Sequence, residues 1–181
     1  MTIERAKAIN GWMTELELLW LAEQAEKYDR IVEIGCYRGR STRALADNTK
    51  GVVIAIDHWN GEPQIAMNEK ERSQLYNDFC INLADLIEQK KVYPFKMHHE
   101  DVTKCAERFC TPSMVFIDGS HQYADVKRDV AFWMEMLKAN GNGVSLLCGH
   151  DVDYEPVAKA LEELVPDYHV VVKTSLWYAH V

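Results

Sequence analysis

Residues 31–46 read IVEIGCYRGRSTRALA. An apolar run of strand character carries Glu33 near its end, two glycines follow at Gly35 and Gly39, and an Arg/Ser/Thr-rich stretch of helical character takes over. A buried strand that turns on glycine into a helix lets a ligand approach the backbone and leaves the helix's first N–H groups free for a negative group. The fold therefore depends on whether other strands end in the same way.

Four more segments read as short β runs: VVIAID (52–57), VYPFKM (92–97), SMVFID (113–118) and VSLLC (144–148). Most are almost continuously apolar, which suits strands covered on both faces of a parallel sheet. Helical candidates alternate with them: STRALADN (41–48), residues 69–90, TKCAERF (103–109) and residues 123–138. In the last, Tyr123, Val126, Val130, Trp133, Met134 and Leu137 recur at helical spacing. Ahead of the first strand, residues 14–28 begin with a capping-box pair, Thr14 and Glu17, and set Leu16, Leu19, Trp20 and Leu21 along a broad apolar face. Pro156 opens the helical run VAKALEELV and Pro166 closes it. The tail, YHVVVKTSLWYAHV, is two β-like runs split by Lys173, Thr174 and Ser175, which predicts a hairpin.

This alternation predicts one α/β domain over residues 1–181, a doubly wound, mostly parallel sheet with an N-terminal helix and a C-terminal β-hairpin. Ligands of such sheets bind beyond the carboxyl ends of the strands. Those ends hold Glu33 to Gly39, Asp57-His58-Trp59, His99-Glu100-Asp101, Asp118 to His121 and Gly149-His150-Asp151.

Composition narrows the partners. A net charge of −8 argues against nucleic acid, and no apolar stretch approaches the length that spans a bilayer. The start, MTIERAKAIN, lacks the apolar core of a signal peptide, so the expected location is the cytoplasm. Cys36, Cys80, Cys105, Cys110 and Cys148 form no C-x-x-C pair and read as reduced thiols. The short basic cluster Arg38, Arg40, Arg43 reads as a solvated helix face, and His98, His99, His169 and His180 as surface or strand residues.

The glycine spacing is G-x-x-x-G rather than G-x-G-x-x-G, which disfavours a pyrophosphate, and with it a nicotinamide oxidoreductase, and favours a carboxylate. Asp57 follows Gly35 by 22 residues, where an acid accepts hydrogen bonds from ribose hydroxyls. Ribose without pyrophosphate points to an adenosine-type cofactor. Asp101 could accept from an exocyclic amine, with Val102 and Trp59 as apolar or stacking surfaces, and reads equally well as a lead into the next helix. Among the aromatics, Tyr37 and Trp59 are the candidates for a pocket wall.

Taken together, VEIGCYRGRST, IDHW, VFIDGSHQYADVKRD and GHDVD resemble the class I S-adenosylmethionine-dependent methyltransferases, in particular their small single-domain members, over nearly the whole chain. The resemblance implies a Rossmann-like fold, S-adenosylmethionine as cofactor and a small-molecule acceptor, methylated on oxygen or, as the less favoured alternative, on nitrogen. It places Glu33 and Gly35 on the floor of the cofactor pocket near the methionine amino group. Gly39 and Ser41 would lie by the carboxylate, Asp57 on the ribose, Asp101 near the adenine and Asp118 beside the reacting methyl. Several members hold a divalent cation between acids of the fourth and fifth strands, positions matched by Asp118 and Asp151 and suited to magnesium or manganese. Ser120 and Val152 depart from that pattern. His121 is the first candidate for general base and His150 the second, each with an alternative reading as a loop-locking or helix-capping residue. A catalytically silent module that binds an adenosine ligand or a protein partner is the alternative function, and the aromatic tail is a candidate self-association edge.

Overall fold

The computed structural model describes residues 1–61, 66–104, 111–139 and 144–181. Its strands are β1 (Arg30–Ile34), β2 (Val52–Asp57), β3 (Val92–Lys96), β4 (Met114–Ile117), β5 (Leu146–Gly149), β6 (His169–Val170) and β7 (Trp177–His180). They hydrogen-bond in the order β3-β2-β1-β4-β5-β7-β6. The first five strands run parallel, and β7 lies antiparallel to both β5 and β6, closing the sheet with the expected hairpin. The strand order reverses direction between β1 and β4, which is where a doubly wound sheet opens a crevice.

The helices are α1 (Glu4–Lys7), α2 (Glu15–Ala25), α3 (Arg40–Asn48), α4 (Glu69–Asn82), α5 (Ala84–Glu88), α6 (His99–Val102), α7 (Tyr123–Lys138) and α8 (Glu155–Leu164). Side chains alternate across each strand, so the sheet feeds two cores. Ile31, Val53, Ala55 and Phe116 pack with α1 to α5, while Val32, Ile54, Val115 and Leu147 pack with α7 and α8. The same alternation turns Glu33 toward α3, where it is fully buried.

Two helical expectations change. The Thr14–Glu17 capping box forms, but α2 buries Leu18, Leu21, Ala22 and Ala25 and leaves Leu16 and Leu19 exposed, because the docked face is narrower than the apolar content suggests. Residues 69–90 divide at Leu83, whose backbone leaves the helical region while its side chain is buried beneath Gly39. The helix expected over 103–109 falls largely on 105–110, outside the described residues, and α6 forms just before it. Cys36, Cys80 and Cys148 are free thiols, and no helix among the described residues is long and apolar enough to cross a membrane.

Trp133 on α7 is fully buried in the second core. Trp133→Ala should cost about 3–5 kcal/mol of stability, read as a lower denaturant midpoint with an unchanged slope.

Candidate functional site

A cavity of about 980 Å³ opens at the carboxyl ends of β1, β2, β4 and β5. Its floor depends on Gly35. That residue has φ +83°, and a Cβ there would stand 2.0 Å from the carbonyl oxygen of Asp118, so the β1 turn lies directly against the end of β4. Asp57 shapes the same turn from the β2 side. Its Oδ2 accepts from the backbone N–H groups of Cys36 and Tyr37 at 2.8 and 2.9 Å, and its Oδ1 accepts from Trp59 N at 2.6 Å. Tyr37, held at φ +47°, turns its ring onto Trp12, 4.6 Å away between centroids, at the cavity wall.

Gly35, Tyr37, Ser41, Asp57, Asp118, His121, His150 and Asp151 line this cavity, so most of the expected site is brought together. Five expected residues are outside the lining. Glu33 lies beneath it, its Oε1 accepting from Ser41 Oγ. Gly39 faces away: its missing side chain makes room for Leu83 and Phe79. Trp59 is a core residue packed on Tyr76 and Phe79, and its indole N–H donates to Tyr37 O at 2.8 Å. Asp101 is exposed and pairs with Lys104 at 2.6 Å, while Val102 is buried in the second core. His98, read from sequence as a surface residue, is exposed and stands on the cavity wall, its ring 4.8 Å from that of His58.

The polar corner of the cavity is a cluster of five ionisable groups. His121 Nε2 meets Asp151 Oδ2 at 2.8 Å. His150 Nδ1 lies 3.2 Å from Asp151 Oδ1 and 3.7 Å from Asp118 Oδ1, and its Nε2 meets Glu17 Oε1 at 3.1 Å. Glu17 was legible only as a local helix cap. It also accepts from Ser175 N at 3.2 Å, so one buried carboxylate joins α2, the end of β5 and the β6–β7 turn.

Electrostatics divide these groups by role. Burial pushes the Asp118 carboxyl up to about 7, partly offset by His150. Burial alone would lower the His150 pKa, but its hydrogen bonds to Asp151 and Glu17 outweigh that and hold it well above the usual imidazole range. Hydrogen bonds with His121 and His150 overcome burial at Asp151, and those with His150, Thr14 and Ser175 overcome it at Glu17, holding both well below the usual carboxylate range. With Nε2 donating to an ionised Glu17, His150 has only Nδ1 left, facing two carboxylates, and that atom carries a proton or a cation. Both ring nitrogens of His150 are thus engaged by carboxylates.

Asp118, His150 and Asp151 present ligand atoms that all lie within 4.8 Å of one another. Two carboxylates and an imidazole are a donor set that fits a divalent metal ion.

Residues 32–152 match a family model described as a methyltransferase domain. A search of curated protein sequences finds no match. Among solved structures, the chain is similar to a protein described as a caffeoyl-CoA O-methyltransferase of Staphylococcus aureus, with a TM-score of 0.69 at 16% identity over 99% of this chain and 91% of that one. It is also similar to an O-methyltransferase of Bacillus cereus in complex with SAH, with a TM-score of 0.66 at 15% identity over 99% and 86%. A third is TomG of Streptomyces achromogenes, an O-methyltransferase of tomaymycin synthesis in complex with SAM, with a TM-score of 0.65 at 14% identity over 94% and 81%. At these identities the likeness shows the fold.

Glu33 gives a pH signature. Burial raises its carboxyl from 4.5 to about 8, opposed by Ser41 and Thr42, so the folded chain keeps a proton that the unfolded chain releases. Its contribution to stability is full below about pH 4.5 and is lost as pH rises to about 8. Glu33→Gln cannot ionise, so its stability relative to wild type should improve steadily across that window in chemical denaturation at stepped pH.

Proposed function

We propose, from the premise that this chain belongs to the methyltransferase-domain family, that it is an S-adenosylmethionine-dependent enzyme that methylates an oxygen of a small acceptor. The observation that carries this reading is the convergence of the Gly35 turn, Asp57 and Asp118 on one cavity at the point where the strand order reverses. The bound relatives from Bacillus cereus and Streptomyces achromogenes, which hold SAH and SAM, support it.

The residues present fit the cofactor. The Gly35 turn lies against the end of β4 and lines the cavity, and Asp57 keeps acceptor capacity for ribose hydroxyls at the end of β2. At the adenine end, the paired rings of His58 and His98 take the place that the sequence had given to Asp101, Val102 and Trp59. When bound, S-adenosylmethionine supplies an electrophilic methyl group. The protein's part is to hold an acceptor oxygen in line and take its proton.

Two groups suit the proton. Asp118 stands at the cavity floor with a carboxyl poised near 7, and His121 is oriented by Asp151. A magnesium or manganese ion on Asp118, His150 and Asp151 would lower the pKa of an acceptor hydroxyl bound beside it. The reading places the reaction in the cytoplasm, in keeping with the free thiols.

Calorimetric titration with S-adenosylhomocysteine tests the cofactor, and absence of heat at millimolar ligand rejects it. Methyl transfer is then read on a panel of hydroxylated acceptors with magnesium, manganese or a chelator. Binding without turnover on any acceptor would favour the silent-module alternative. With an accepted substrate, His121→Ala should slow turnover by roughly 100-fold and leave the affinity for S-adenosylhomocysteine unchanged.

A further inference from the structure

Arg40 is the first residue of α3 and lines the cavity, half-buried under the segment that joins α1 to α2. Its Nε donates to Met13 O at 2.9 Å, and its Nη1 donates to Lys7 O at 2.9 Å and Ile9 O at 2.6 Å. The strap so held rests on the arginine stem: a Cβ on Gly11 would lie 3.0 Å from Arg40 Cδ. The strap's Gly11, Trp12 and Met13 form part of the cavity wall.

These three carbonyls satisfy N–H groups but bring no negative charge. The neighbouring arginines differ in this. Arg38 pairs with Asp78 at 3.0 Å, and Arg43 pairs with Asp47 and Asp85 at 2.9 and 2.6 Å. Arg40 has no carboxylate at ion-pair distance among the described residues, and its Nη2 donates to none of them. A half-buried guanidinium at a cavity wall with no acid beside it favours an anion, and the N–H groups left on Nη2 can donate to a carboxylate oxygen. The two residues that the sequence assigned to that anion are committed elsewhere, Ser41 to Glu33 and Gly39 to the Leu83 contact.

We infer that Arg40 is the carboxylate subsite of this cavity and binds the amino-acid end of the cofactor while it holds the strap that walls the pocket. This rests on the cofactor reading above. Because one side chain serves both, a carboxylate on Arg40 secures the ligand to the strap and to α3 together.

The test compares S-adenosylhomocysteine with its decarboxylated analogue, S-adenosyl-3-thiopropylamine, by calorimetry on the full chain. Wild type should prefer S-adenosylhomocysteine by about 10- to 150-fold, the range for a charge-assisted hydrogen bond. In Arg40→Gln the preference should collapse to within a few-fold, and in Arg40→Lys much of it should return. A thermal melt of each variant confirms folding. If Arg40→Gln weakens both ligands equally and the preference survives, the arginine only holds the strap and the inference is overturned. If wild type binds neither ligand, the cofactor reading falls and this subsite with it. If wild type binds both equally, the subsite alone is overturned.

Discussion

The contact between Gly35 and the main chain of Asp118 is the constraint on which the site depends. Gly35 N donates to Ile56 O at 2.9 Å and Asp118 N donates to Ile34 O at 2.8 Å, so the turn after β1 is stitched to β2 on one side and β4 on the other. Only a residue with no Cβ fits there, because the Asp118 carbonyl occupies the space. Once β1, β2 and β4 end in register, Asp57 and Asp118 are delivered to opposite sides of one turn. The cavity is then a consequence of sheet topology rather than of any loop insertion.

Charge balance is the second constraint. Glu17, Asp118 and Asp151 bring three carboxylates together at one corner of the cavity, and His121 and His150 stand between them. Full ionisation without compensation would be costly at this depth. The protonated His150 supplies the counter-charge, and Glu17 fixes its ring so that Nδ1 faces the other two acids. A divalent ion would substitute for that proton at the same atom. The same network ties α2 to the sheet, so the N-terminal helix is structurally part of the site although it carries no strand-end motif.

Much of this was legible in the sequence, for physical reasons. Strands buried on both faces leave nearly uninterrupted apolar runs, and four of the five parallel strands follow such runs closely, while β3 carries Lys96 and a partly exposed face. The α7 helix matches residue for residue because one face of it packs on the sheet along its whole length. Less legible were residues whose type has two uses. Gly39 is a glycine for packing against Leu83 and Phe79, which no local pattern distinguishes from a ligand-binding turn. Trp59 and Asp101 follow strand ends in the chain, but Trp59 is drawn into the first core and Asp101 stays with Lys104. Glu17 looked like a helix cap and is one, yet its partner His150 lies 133 residues away, a separation that periodicity cannot bridge.

The basic cluster after Gly35 shows most clearly why side-chain context decides function. Read as composition, Arg38, Arg40 and Arg43 are three equivalent charges on a helix face. Helical geometry turns Arg43 inward, where it is 4% exposed and neutralised by Asp47 and Asp85. Arg38, still in the turn, reaches Asp78 on α4. Arg40 points instead beneath the strap and meets only carbonyl oxygens. Two of the three charges are thus consumed in holding α3 to α4 and α5, and the third keeps its charge uncompensated beside a cavity. An acidic chain gains nothing in stability from leaving one such cation without an acid, when acids were available to its neighbours a turn away. That asymmetry makes sense if the missing anion arrives with the ligand.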